Sequence, residues 1–404
     1  MSRADTLASN DQKVQDHVLQ GEASEAEITA GDTESKHWIS VRRFVKALKS
    51  MATASVDDRS KSGANTEFVR NQIESPNQSF PTQVFRKNRL INGNFDIWQR
   101  GATGTAGNAV GPAQSVYGPD RWIIYMPANA NATWERLVFA PGTGVNESRY
   151  ALRVTRSGTG DGVNISQRIE GAECFAGKKV TLSFYARASI NHVCAVICRQ
   201  NLGAGGSDAG PGVGAEISLT TDYKKYTVTL DVPSIAGKTR GSSGDYLEVV
   251  FGSAGKGGYT FDIASVQAEQ GAVATEYEIR PVAHELMLCQ RYFEKTFPQD
   301  VAPSIDSGLS GTLVGLVYQN QAGSASQPVA HWQFKVEKRA TPSIRLYRHG
   351  GNAGANQWTN SSGESSTVNA SASGVCSRSA TIGNSDIGVP ATTYYIHASA
   401  DAEL

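Results

Sequence analysis

Aromatic side chains beside amides and a guanidinium are the groups in this sequence with the clearest chemical use. Tyr117, Tyr125, Trp134 and Arg136 lie in or near the polar stretch Pro127-Ala-Asn-Ala-Asn-Ala-Thr133. A pyranose ring can lay its C–H face on Trp or Tyr while amides and charged groups take its hydroxyls. That chemistry is recognition of a glycan without bond breaking. The competing reading puts these aromatics in a core or at a subunit contact, and for Trp134 packing is favoured over binding. Trp98 and Trp122 are expected in the core.

Patterns that carry catalysis are missing from the sequence. There is no Gly-x-Ser-x-Gly elbow, no His-Glu-x-x-His, no phosphate loop and no Gly-x-Gly-x-x-Gly after a strand. Glycoside hydrolysis needs two carboxylates flanking a cleft. Glu170, Glu216, Glu248, Asp262 and Glu269 are available, but their spacing pairs none of them. The chain also lacks the length and repeat of a depolymerase β-helix. The expectation is a protein that is not an enzyme. The five cysteines are an odd number, and only Cys194 and Cys198 are close. In a strand, residues four apart share a face but sit about 13 Å apart, too far for one metal ion. With only His192 nearby, the pair reads as buried free thiols rather than a zinc site.

The elements that must position these residues are mostly strands. The chain has 404 residues, so two or three domains are expected. Its 41 glycines and 19% charged residues suit short strands joined by turns. Net charge is zero, which argues against a nucleic-acid partner. No stretch approaches the roughly 20 apolar residues of a membrane span, so no membrane insertion is expected. The N-terminus lacks an apolar signal region, so synthesis and folding in a cytoplasm are expected.

Residues 1–82 are polar, with two short helical stripes. Val41, Phe44, Val45 and Leu48 form the first, and Phe68, Val69 and Ile73 the second. Each follows a Gly/Asp/Ser/Thr-rich segment, which suggests a degenerate repeat. Helices this short must pack on something else, either further copies of the chain or the chain's own domain. Residues 74–87 read as a linker. From 83 to 281, period-two alternation predicts an antiparallel sandwich of many strands, for example Val180, Leu182, Phe184 and Ala186 alternating with polar neighbours. The glycine-rich segment 201–214 reads as a long loop near a binding surface. Residues 282–297 switch to helical periodicity, and 298–404 return to strands at 313–318, 331–336, 343–347 and 392–397. A small C-terminal β-sandwich with Trp332 in its core is expected.

Several runs resemble appendage proteins of tailed bacteriophages that carry a carbohydrate-binding-module-like jelly roll. They are Asn88-Arg-Leu-Ile-Asn-Gly-Asn-Phe-Asp-Ile-Trp-Gln-Arg-Gly101, Tyr117-Gly-Pro-Asp-Arg-Trp122, Phe261-Asp-Ile-Ala-Ser-Val-Gln-Ala-Glu-Gln-Gly271 and Thr275-Glu-Tyr-Glu-Ile-Arg-Pro281. Glu285-Leu-Met-Leu-Cys-Gln-Arg-Tyr292, Phe334 to Ile344 and Ala400-Asp-Ala-Glu-Leu404 are similar to elements that follow the jelly roll in such proteins. The resemblance implies a mainly β fold: a jelly-roll sandwich, a short helical N-terminal arm, a linking helix and a C-terminal β domain. It also implies a structural calcium, with Asp96 and Asp262 in the corresponding places and backbone carbonyls as the other ligands. No other cofactor is expected.

The resulting expectation is a homotrimeric tail-fibre or spike subunit on the virion. It would attach to other virion proteins through residues 1–82 and adhere to a host cell-surface polysaccharide. The alternative is a baseplate, collar, head-decoration or head-fibre protein that makes only protein contacts.

Overall fold

The structure, a computed structural model, describes residues 87–107, 112–142, 145, 148–158, 162–253, 257–316, 329–350, 356–360, 365–384 and 393–404. The helical stripes expected within residues 1–82, and the repeat that contains them, lie outside the described residues. The described part is mainly β, as expected. Its first half is a sandwich of two six-stranded antiparallel sheets.

The first sheet contains β1 (Thr103–Gly107), β4 (Ala130–Val138), β5 (Tyr150–Gly158), β7 (Lys179–Ala188), β10 (Lys224–Asp231) and β12 (Tyr259–Gln270), in the order β1-β4-β5-β12-β7-β10. The second contains β2 (Gln114–Tyr117), β3 (Ile123–Met126), β6 (Asn164–Glu170), β8 (His192–Asn201), β9 (Val213–Leu219) and β11 (Tyr246–Ser253), in the order β2-β3-β6-β11-β8-β9. From β5 onward the chain crosses repeatedly between the sheets, which is a jelly-roll winding. Each strand turns its apolar set inward. Phe184, Ile263 and Leu152 from one sheet meet Phe251, Val196 and Ile165 from the other. Cys194 and Cys198 lie in this core as free thiols, and burial pushes both up to about 12. Cys376 is also free, but exposed.

The run from Asn88 to Gly101 forms no regular strand. Asn92 and Phe95 adopt left-handed backbone with φ of 57°. The Asn92 amide donates to the Ile97 and Asp120 carbonyls and accepts from the Ile97 N–H. The Trp98 indole donates to Phe95 O, and the Trp122 indole to Asn92 O. Asn88 bonds Val266 O and the Ala268 N–H, tying this run to β12. The two tryptophans are core, as expected.

Helix α1 spans Val282–Gln290 and stops earlier than the helical periodicity predicts. Phe293–Lys295 instead form β13, antiparallel to β20 (Thr393–Asp401). The apolar positions after Gln290 are claimed by sheet pairing, a tertiary preference that overrides local periodicity. β20 also pairs with β14 (Leu313–Leu316), β16 (Ser343–Tyr347) and β17 (Gln357–Thr359). β18 (Ser365–Ser373), β19 (Ser379–Asn384) and β15 (Ala330–Gln333) complete the eight strands. Trp332, Trp358 and Ile396 fill the core of this second half.

The segment after α1 joins the two halves. Arg291 makes a bidentate pair with Glu170 at 3.0 and 2.9 Å. The Arg121 guanidinium stacks on Tyr292 at 3.4 Å and pairs with Glu403. Arg100 holds Asp401 and Glu403, and Arg339 donates to the carbonyls of Ala402 and Glu403. Residues 401–404 are thus clamped by arginines from both halves.

Candidate functional site

The outward face of the second sheet carries a groove of about 500 Å³. Strand alternation places its lining. In β3, Ile124 and Met126 point into the core, so Tyr125 faces out. In β11, Leu247 and Val249 point in, so Tyr246 and Glu248 face out. In β8, Cys198 points in and Arg199 and Asn201 face out.

Strand register then lines up the outward residues in rows. The first row runs Ser115, Tyr125, Asn164, Gly252, Ala195, Glu216 across all six strands. The next holds Ile123, Ser166, Val250 and Ile197. Arg168, Glu248 and Arg199 make the third, and Glu170, Tyr246 and Asn201 the fourth. Gly252 and Ala195 keep the floor low beyond Tyr125. A Cβ at Gly252 would stand 2.9 Å from the Asn164 Oδ1, so glycine is what lets that amide lie over the sheet.

Glu248 is the polar centre. It is 7% exposed and accepts from Ser166 Oγ at 2.9 Å and Arg199 Nε at 2.9 Å, with Arg168 Nε at 3.6 Å. The Arg168 guanidinium lies 4.7 Å over the Tyr246 ring, and its Nη1 donates to Leu404 O. Tyr125, at 36% exposed, is the open aromatic face of the groove. The arrangement offers one stacking platform, the amide of Asn164 and fixed charges. Glu248 is the sole carboxylate among the lining residues, and two guanidiniums hold it. The two-carboxylate geometry of glycoside hydrolysis is not assembled there.

The four aromatic and basic residues singled out in the sequence do not converge. Tyr125 lies in the groove. The Tyr117 hydroxyl instead donates to Leu404 O, and Arg100 stacks 4.9 Å over its ring. Trp134 is 9% exposed on β4 of the opposite sheet, where its indole fills the space left by Gly104 and Gly118. A Cβ at Gly104 would come within 2.2 Å of that ring. Arg136, also on β4, stacks 4.7 Å over Tyr150. Packing claims three of the four, because Tyr117, Trp134 and Arg136 each have a protein partner at van der Waals or hydrogen-bond range.

Asp96 and Asp262 do not fit a calcium site. Arg153 grips the Asp262 carboxylate with two hydrogen bonds at 2.7 and 2.9 Å, and Arg187 and Tyr223 each donate at 2.8 Å. Burial alone would raise the Asp262 carboxyl, but these donors outweigh it and hold it below the usual range. Two guanidiniums there repel a dication. Asp96 sits instead under the influence of Glu285, Arg149 and Arg136. Among the described residues, no three His, Cys, Asp or Glu side chains are grouped to hold a metal ion.

Tyr246, Arg199 and Asn164 were not singled out by the sequence, and Glu248 was named there only as one of several unpaired carboxylates. Their signal was present in the alternation of strands β8 and β11. Strand alternation says that a residue faces out, but not which strands are neighbours. The glycine-rich loop does border the groove at Asn201, but β9 begins within it at Val213. Its backbone pairs with residues 239–243 through Ala204 N to Ser243 O and Gly241 N to Leu202 O.

No protein-family model matches the chain. No curated protein matches it either. Solved structures similar to it include the enzymatically active domain of tailspike protein 4 from bacteriophage CBA120. That match has 16% identity and a TM-score of 0.28, covering 46% of this chain and 22% of the tailspike chain. A family 11 carbohydrate-binding module from Clostridium thermocellum, in complex with a β-1,3-1,4-mixed-linked tetrasaccharide, is 15% identical at a TM-score of 0.28. It covers 42% of this chain and 100% of its own. The CBM22-1 xylan-binding domain from Paenibacillus barcinonensis Xyn10C is 12% identical at 0.27, covering 46% and 96%. Similarity at this level leaves ligand and activity to the geometry of this chain itself.

Proposed function

We propose that this chain is a non-catalytic glycan-binding subunit of a phage appendage, a tail fibre or spike that adheres to host-surface polysaccharide. The groove around Tyr125 carries this reading. It joins an exposed ring, the amide of Asn164 and a low floor on one sheet face, which is what stacking and hydroxyl recognition of a sugar chain require. The appendage setting draws on the sequence runs around Asn88–Gly101, Phe261–Pro281 and Glu285–Tyr292. Weak binding by one groove suits repetition. Three chains per fibre and several fibres per particle would multiply avidity by orders of magnitude.

A structural role is the second reading. Val273, Ile279, Val282 and Met287 are large apolar side chains left exposed within a short stretch, and such a patch suits a protein contact. A baseplate, collar or head-decoration protein would use it without any sugar. Screening the full chain on a glycan array separates the readings. Binding that is weakened in Tyr125→Ala supports adhesion, and no binding by the correctly assembled protein supports the structural role. Light scattering tests the trimer, and a monomer at high concentration would remove the avidity argument.

A further inference from the structure

We propose that the groove selects anionic polysaccharides and reads a uronate-type carboxylate with the Arg199 guanidinium. This rests on the glycan reading above and narrows its ligand class.

The lining holds two guanidiniums and one carboxylate, so one positive charge is left over. The excess lies at Arg199. Arg168 is engaged on several sides by Glu248, the Tyr246 ring and Leu404 O. Arg199 uses only its Nε, toward Glu248. Its two terminal nitrogens make no hydrogen bond among the described residues, and the side chain is 47% exposed. Glu248 fixes the fork from below while staying buried, so its own charge presents little to an arriving ligand.

A guanidinium held by its Nε keeps two exposed terminal nitrogens at the groove, and their N–H groups can be accepted bidentately by a carboxylate. Covering it with a neutral sugar would remove its water and return only hydroxyl contacts. Covering it with a carboxylate returns a charge-assisted pair. Tyr125 and Arg199 are separated by three strand spacings and by four residues along the strand direction. That puts them on the order of 20 Å apart, so several sugar units can lie between the stacking platform and the charge reader.

The test compares polygalacturonate with its fully methyl-esterified form, the same backbone without the charge. Both are titrated calorimetrically into the full chain at low and high salt. The charged polymer should bind at least tenfold more tightly, and the advantage should shrink several-fold at high salt. Arg199→Gln should abolish the advantage, so that the charged polymer and the ester bind this variant alike, with the melting temperature as the folding check. Lys225→Gln, on the outer face of the other sheet, should change neither. Equal affinity for the two polymers, or an undiminished preference in Arg199→Gln, would overturn this inference and leave the glycan reading standing. If neither polymer nor neutral xylan binds, the glycan reading fails and this inference fails with it.

Discussion

Lys338 and Glu294 form an ion pair 2.6 Å across in which neither side chain is more than 1% exposed. The Lys338 ammonium also donates to Gln290 O and Val336 O, so its three protons meet three acceptors. The pair fastens the end of α1 and β13 to the segment before β16. Removing one member leaves the other charged and dry. Lys338→Met should cost roughly 3–5 kcal/mol in urea denaturation, and adding Glu294→Leu should recover most of it. A single-variant loss below about 1 kcal/mol would mean that water reaches the pair.

Trp134 should behave as core. Trp134→Ala should lower stability by about 3–5 kcal/mol. Gly104→Ala should cost roughly 1–3 kcal/mol, because the new methyl meets the indole. Thermal melts read both. If Trp134→Ala keeps its melting temperature but loses glycan binding, Trp134 belongs to a site after all.

Tyr125 should show the opposite pattern. Tyr125→Ala removes a half-open ring with no core contact to lose, so stability should stay within about 0.5 kcal/mol. Loss of stacking worth about 1 kcal/mol should weaken glycan binding roughly fivefold. Calorimetry with a glycan that the wild type binds checks this, and an unchanged affinity would exclude Tyr125 from the contact.

Asp96 gives a pH dependence. Burial first, then the nearby Glu285 charge, raise its carboxyl from 3.8 to about 6. The folded chain therefore holds this proton more tightly than the unfolded chain does. The associated stability is complete below about pH 4 and is lost as pH rises through about 6. Asp96→Asn should stabilise the protein at pH 7.5 by about 1 kcal/mol, allowing for solvent screening of a half-buried group, and change little at pH 4. Denaturation midpoints at the two pH values check the sign. An equal effect at both would show that this carboxyl does not titrate in that window.

Much of the fold was legible because alternation is local. Val180, Leu182, Phe184 and Ala186 announce their strand within seven residues. The end of α1 was less legible, since Phe293 obeys a helical stripe and is drawn off only by pairing with Asp401. Strands β17, β18 and β19 were missed because Gly, Ser, Asn and Ala dominate their stretch of sequence and leave little apolar alternation. The groove was legible only at Tyr125 and at Asn201, where the glycine-rich segment begins. Arg199 and Glu248 meet across 49 positions of sequence, and Arg168 and Glu248 across paired strands β6 and β11. No local pattern encodes such pairings. Asp262 was misread for the same reason, because Arg153 and Arg187 come from strands on either side of it.

Arg121 reaches its counter-charge, Glu403, across 282 positions of sequence. During synthesis, this guanidinium at the joint between the two halves is made long before its anion exists. Until residues 292 and 403 have been made, that guanidinium lacks the ring and the carboxylate that cover it, so the joint between the halves stays open. Chains truncated after Ala402 keep all of β20 yet lose that anion, and we expect proteases to cut them faster than the full chain. Equal lifetimes would contradict this. The clamp on residues 401–404 thus delays closure of this joint until residue 403 has been made.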